Sequence, residues 1–413
     1  MLYHVVGQWW ITTGPTTAGC RMGDSQAQVP IRAITNGPGY HWFGYYDKLQ
    51  FDPTSRYVLA MAVDFEHRAP RPGDEIGIGM IDLKDGDAWR PLGATTAWCW
   101  QQGCMLQWLP GSATEVIWNE RAGDRYVARI TDTATGASRT VPAPVYALAP
   151  DGRSAVGPDF RRLNDMRPGY GYEGIPDPYA DQLAPEESGI HTVDLDTGET
   201  RQIISVADAA AVPYPHADLS QAKHYFNHLL FNPDGTRFIF LHRWRTPGVP
   251  GMRTRMFTAN ADGSDLHVVD DYGGMSHFIW RDPETILAWS WQPSHEGAFY
   301  VYRDRTDRVE VIGKHAMTLN GHCTYLSDPD WILNDTYPRE GTRTQELYLY
   351  HVPTGTRIEL GGFHAPEAYR DESRCDLHPR SDPSGRLVTI DSAHAGGRQL
   401  YLLDIAAALD SIR

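Results

Sequence analysis

Four histidines stand at matching places in four consecutive stretches of the chain: Asn227-His228, Ser276-His277, Gly321-His322 and Asp376-Leu377-His378. His228, His277 and His378 each lie three residues before the leading position of an Asp/Pro/Gly turn, at Phe231, Trp280 and Ser381; His322 is offset by one or two. Any one such imidazole reads as a structural residue bonded to a neighbouring element. Four in equivalent positions of a repeat read as a set that meets. Imidazoles with a carboxylate are the ligand set of a borderline divalent metal such as Mn, Zn or Fe. Asp376 and His378 suit it, because positions i and i+2 of a strand share a face.

A second cluster is basic. Leu241-His242-Arg243-Trp244-Arg245 is followed by Arg253 and Arg255, four arginines in thirteen residues of a chain with formal charge −15. Guanidinium forks bind carboxylates bidentately, so a loop facing a cavity would take an anionic sugar or small acid. The alternative is a solvated loop with surface ion pairs. Tyr45-Tyr46-Asp47-Lys48 adds two phenols, an acid and an amine upstream. Among the common catalytic signatures, G-x-S-x-G, the P-loop, the Rossmann fingerprint and H-E-x-x-H do not occur. A pair of carboxylates working as a glycosidase stays open, with Asp47, Asp64, Glu66, Glu120, Glu173 and Asp335 as its pool.

The elements that position these residues come from a repeat. Strand, Asp/Pro/Gly turn, strand recurs at 49–61, 106–118, 146–156, 229–241, 278–290, 325–335 and 378–390. An alternating strand ending in a polar turn follows each copy, at 76–86, 126–136, 189–199, 255–264, 298–307, 346–356 and 398–408. Seven such units predict an all-β chain, a seven-bladed β-propeller over 34–413 as one domain. A β-sandwich with a second β domain is the competing architecture. Residues 1–33 fall outside the repeat and are expected to be an N-terminal extension, supplying either a ring-closing strand or a small cap. Residues 157–188 and 205–223 are too long for hairpin turns and read as lids or as inert surface.

Composition sets the surroundings. With 52 acidic against 37 basic residues, the chain lacks the basic footprint of a general nucleic-acid or anionic-membrane binder. No apolar run is long enough for a membrane helix, and the first residues lack a secretory leader's pattern, so a cytoplasmic location is expected. Five cysteines without zinc-ribbon spacing read as reduced thiols, with a Cys99–Cys104 bridge as the alternative.

The order of these features resembles oligogalacturonate lyase, polysaccharide lyase family 22. The strings are N-H-L-L-F-N-P-D-G (227–235), H-R-W (242–244), R-M-F (255–257), S-H-F-I-W (276–280), G-H (321–322), D-L-H-P (376–379) and F-G-Y-Y-D-K (43–48). The resemblance implies a cytoplasmic propeller that cuts oligouronides by β-elimination with a bound divalent metal, usually manganese. It implies that His277 and His378 are metal ligands and that His242 is the general base. Asp376 stands where the family has a second histidine, Ser373 where it has a ligand glutamine, and Asn232 where its catalytic arginine is expected. Arg243, Arg253 or Arg255 would then replace that arginine.

The resulting expectation is a carbohydrate lyase acting on an anionic oligosaccharide. His242, Arg243, Arg255 and Tyr46 are its catalytic candidates, with Tyr45 as the other possible acid. Lys48, His228, Arg245 and Arg253 are expected to bind substrate, and His277, His322, Asp376 and His378 to hold the metal. The competing functions are a TolB-like interaction scaffold without metal and a metal-independent glycoside hydrolase.

Overall fold

In five of the seven repeats an Asp or Asn leads the turn, and its side chain folds the chain back. Asp52 accepts the amides of Thr54, Arg56 and Tyr57 at 2.6–3.1 Å. Asp382 accepts those of Arg386 and Leu387 at 2.9 Å. Asn232 accepts the Arg237 amide at 3.0 Å, and Gly235 takes the positive φ of 73° that closes the turn. Asn232, where the resemblance leads one to expect an arginine, is thus committed to its turn; its side-chain amide also donates to Thr236 and to the Pro283 carbonyl.

The computed structural model describes residues 29–412. It contains seven four-stranded antiparallel sheets. Blades 1 to 6 run over 40–95, 107–141, 147–205, 223–270, 278–312 and 324–364, each in simple chain order. Blade 7 has Arg380–Ser381, Leu387–Ser392 and Gln399–Asp404, and its fourth strand is Ile31–Ala33, with Ile31 opposite Leu403. Of the N-terminal extension expected over 1–33, residues 1–28 lie outside the described residues, as does Cys20.

The apolar cores lie between blades, which separates a ring from a sandwich. Ile239, Leu241 and Met256 of blade 4 pack with Phe278, Ile286 and Ala288 of blade 5. Leu333 and Leu349 of blade 6 pack with Val388 and Ile390 of blade 7. Blade 7 reaches blade 1 through Leu400 and Leu402 beside Met61 and Trp42. Each such side chain contributes about 1.5–3 kcal/mol on burial. No blade buries both faces alone; closure does it for all seven.

Both long connections carry a helix. Helix α1 (Phe160–Met166) lies in the insertion between the second and third strands of blade 3. Helix α2 (Val206–Ala211) follows that blade and begins at a capping box of Ser205 and Asp208. Cys99, Cys104, Cys323 and Cys375 are free and buried. Among the described residues no helix is long and apolar enough to cross a membrane.

Candidate active site

The first strands of blades 5, 6 and 7 begin within three residues of His277, His322 and His378, so the ring brings these imidazoles together. Ring centroids are 4.2 Å apart for His277 and His322 and again 4.2 Å for His322 and His378. The ligand atoms of His322, Asp376 and His378 all fall within 4.8 Å of one another, and all three residues are buried. His277 stands beside this compact set rather than inside it.

Asp335, on the second strand of blade 6, orients the set. Its carboxylate accepts the His322 backbone N–H at 2.6 Å and His322 Nδ1 at 2.9 Å. Its other oxygen accepts the His378 backbone N–H at 3.2 Å. His378 is held at a φ of 44°, a left-handed conformation that a non-glycine residue adopts under local constraint. Gly321 allows the approach, since a Cβ there would lie 1.8 Å from the Asp335 carbonyl oxygen. With Nδ1 bonded to Asp335, His322 presents Nε2 as a lone pair. The Nε2 atoms of both His322 and His378 are buried without a hydrogen-bond partner. Two unsatisfied buried imidazole nitrogens beside a carboxylate fit a divalent cation. Burial, reinforced by the neighbouring His322, pushes His277 and His378 well below the ordinary histidine range, so both imidazoles are neutral.

A cleft of about 380 Å³ opens beside this cluster. Its lining includes Tyr45, Arg167, Arg243, Arg253, His277 and Tyr337. Arg243 comes from blade 4 and is 5% exposed; its Nε is buried without a partner, and Nη1 meets only the Met252 sulfur at 3.6 Å. Among the described residues Arg167, Arg243 and Arg253 form no ion pair. His277 Nδ1 lies 3.0 Å from Asn320 Oδ1, and its Nε2 lies 3.4 Å from the Tyr337 hydroxyl.

Several expected site residues are placed elsewhere, and strand alternation explains the main case. His242 and Arg243 are successive, so their side chains leave opposite faces of blade 4. Arg243 enters the cleft, whereas His242 is fully buried on the other face. There His242 Nε2 is 2.9 Å from His224 Nδ1, and Arg255 Nε donates to His242 Nδ1 at 3.1 Å. The remaining Arg255 nitrogens donate to the carbonyls of Ala209, Val212 and Pro213 at 2.7–3.1 Å, closing the end of α2. This corrects the expectation that His242 and Arg255 share a cleft with the metal ligands.

Tyr46 is likewise engaged: its hydroxyl donates to the Phe278 carbonyl at 2.8 Å and accepts the Phe278 N–H at 3.0 Å. Tyr45 takes the cleft position instead, and burial holds its hydroxyl well above the usual range, hence protonated. Lys48 and His228 form a buried cluster with Asp47, at 3.2 and 3.1 Å, outside the cleft lining. Burial alone would raise the Asp47 carboxyl, but Lys48 and His228 hold it below its ordinary value. Arg245 donates to the Met166 carbonyl at 3.2 Å, and Ser373 Oγ to that of Arg370 at 3.1 Å, neither of them in the cleft lining. Arg167, Asn320 and Tyr337 lie outside the repeated motifs and carry no signal there, and in the sequence Asp335 stands only among the candidate glycosidase acids.

No protein-family model matches the chain, and no curated protein matches it. Solved structures do. An oligogalacturonate lyase from Vibrio parahaemolyticus aligns over 93% of this chain and 96% of its own at 14% identity, with a TM-score of 0.65. An oligogalacturonate lyase in complex with manganese aligns over 94% and 96% at 16% identity, also with a TM-score of 0.65. The likeness extends over nearly the whole of both chains, and it shows the seven-bladed fold.

Proposed function

We propose that this chain is a carbon–oxygen lyase that cleaves a uronate-containing oligosaccharide by β-elimination, with a divalent metal, manganese, at His322, Asp376 and His378. One observation carries the reading: two orphaned imidazole nitrogens beside a carboxylate adjoin a cleft whose three guanidiniums lack ion-pair partners. When bound, the cation would neutralise the substrate carboxylate and so acidify the carbon-bound proton beside it.

The chain's own residues supply the rest. Arg243 offers a desolvated, unpaired fork to a carboxylate, and in a low-dielectric wall such a contact is strong. The proton must pass to a base facing the cleft. His242 cannot take it here, because both of its nitrogens are bound inside blade 4. His277 lines the cleft, and Asn320 fixes its Nδ1, leaving Nε2 as the acceptor. Tyr45, on the same lining, donates a proton to the leaving glycosidic oxygen.

The test is incubation with a panel of uronate oligosaccharides while near-ultraviolet absorbance of an unsaturated uronide is followed. Absorbance should grow, stop with chelator and return with manganese. Cleavage without unsaturation would identify a hydrolase, and an inert, metal-free protein would identify a binding scaffold. His277→Ala should keep the metal and lose turnover. If His242→Ala loses turnover while its fold and metal are intact, the base assignment is overturned.

A further inference from the structure

We infer that the 157–188 insertion is a fixed wall of the cleft, and that its Arg167 is a specificity-determining residue that binds an anionic group of the ligand. The inference rests on the uronate reading above and goes beyond it, because no resemblance assigns a role to this segment. In blade 5 the second and third strands are joined by three residues, Gln292 to Glu296; in blade 3 thirty separate Pro158 from Gly189. Nothing in the repeat requires them.

A mobile lid makes few buried contacts, and its opening costs little. This segment is fastened on three sides. Arg162, 1% exposed, donates to the His224 carbonyl at 2.7 Å and to the carbonyls of Tyr179, Gln182 and Leu183 at 2.9–3.1 Å, and it pairs with Asp177 at 3.1 Å. The first bond ties α1 to blade 4, and the others tie it to the rest of the insertion. The Tyr172 ring stacks on Phe160 at 4.4 Å, and its hydroxyl accepts from Asn119 of blade 2 at 2.9 Å. Arg374, from the connection into blade 7, donates to the Tyr170 hydroxyl at 2.6 Å and to Asp376 at 2.6 Å. A Cβ at Gly171 would lie 2.2 Å from the Asn164 nitrogen, so the chain lies directly against its own helix.

Arg167 follows α1 at once. Its guanidinium lies 3.7 Å from the centroid of the Tyr170 ring. Stacking spends the flat face of the group and leaves its in-plane N–H donors free, at little further entropy cost. Those donors have no carboxylate partner among the described residues, and Arg167 shares the cleft lining with Arg243 and Arg253. A neutral sugar would leave the buried fork of Arg243 and the half-buried, ring-stacked Arg167 without a charged partner, which disfavours it; a carboxylate satisfies them.

The test needs no turnover. Calorimetry with D-galacturonate and D-glucuronate, which have no glycosidic bond to cut, is compared with D-galactose and D-glucose on the metal-loaded protein. The wild type should prefer the uronates. Arg167→Ala should weaken uronate binding by about 10-fold or more and leave the neutral sugars unchanged, and Arg167→Lys should recover little of the loss. Arg305→Ala, at an exposed turn of blade 5, is the charge control and should behave as wild type. Uronate affinity unchanged in both Arg167 variants would overturn this inference and leave the lyase reading standing. No uronate binding by the wild type would sink the lyase reading itself.

Discussion

Two close-packed histidine pairs in this ring differ in what their nitrogens lack. His224 and His242 in blade 4 have ring centroids 4.9 Å apart; His322 and His378, across blades 6 and 7, have theirs 4.2 Å apart. Both pairs are buried. In blade 4 the partners are complete: His224 bonds to His242, and Arg255 closes the second nitrogen of His242. At the axis His322 and His378 each keep an unsatisfied Nε2. Closeness of imidazoles is therefore not the mark of a site. Two partnerless imidazole nitrogens converging beside a carboxylate point to one, because a cation there would satisfy all three at once.

The largest effect that would sharpen the contrast is loss of metal. His378→Ala should lower manganese affinity, read by calorimetry, by more than the 10–100-fold typical of a supporting residue, and should lower melting in chelator less than His242→Ala does. His242→Ala should do the opposite. It leaves Arg255 Nε and His224 without partners and opens a cavity, costing about 3 kcal/mol in denaturant unfolding while manganese still binds. If His242→Ala releases metal and His378→Ala unfolds the chain, the roles of the two pairs are reversed.

The next effect belongs to the residue behind the ligands. Asp335→Asn keeps the shape but puts an amide where a carboxylate accepts from His322 Nδ1 and two backbone N–H groups. Manganese affinity should fall about 10–100-fold with folding intact. Affinity equal to wild type would show that the strands alone place His322 and His378.

The ring was legible because its turns are local: a Pro flanked by Asp, Asn or Gly fixes a hairpin wherever it occurs, and seven copies set the blade count. The meeting of His322, Asp376 and His378 followed from matching positions in that ring. The face of a strand was not legible from the string His242-Arg243-Trp244. Either neighbour could have faced the cleft, and α2 with Arg255 decides it by sealing one side. Arg167 and Tyr170 lie in a segment with no period to read. Their signal was compositional, one arginine, two tyrosines and three glycines around Pro168 in an insertion too long for a turn. Tyr337 and Asn320 lie outside the strands, where neither period nor repeat applies.

The smallest expected effect is a pH dependence belonging to the blade 4 pair. Burial first, then the charges of Arg255 and Arg162, push His224 down to about 4; burial, then His224 and Arg255, hold His242 well below its ordinary value. Well above pH 6.5 both imidazoles are neutral folded or unfolded, so they add no pH dependence there. As pH falls below 6.5 the unfolded chain takes up protons that the folded chain refuses, and stability is lost until His224 itself titrates near pH 4. Each imidazole should therefore cost about 1 kcal/mol between pH 6.5 and 5.5. Unfolding of the wild type and of the double variant His224→Gln, His242→Gln, measured across that interval, isolates the pair, since the other buried histidines are common to both. The wild type should lose stability more steeply with acid, by about 2 kcal/mol over that unit of pH. Equal slopes would mean that the pair carries a proton in the folded state, and the contrast with the axial imidazoles would then rest on geometry alone.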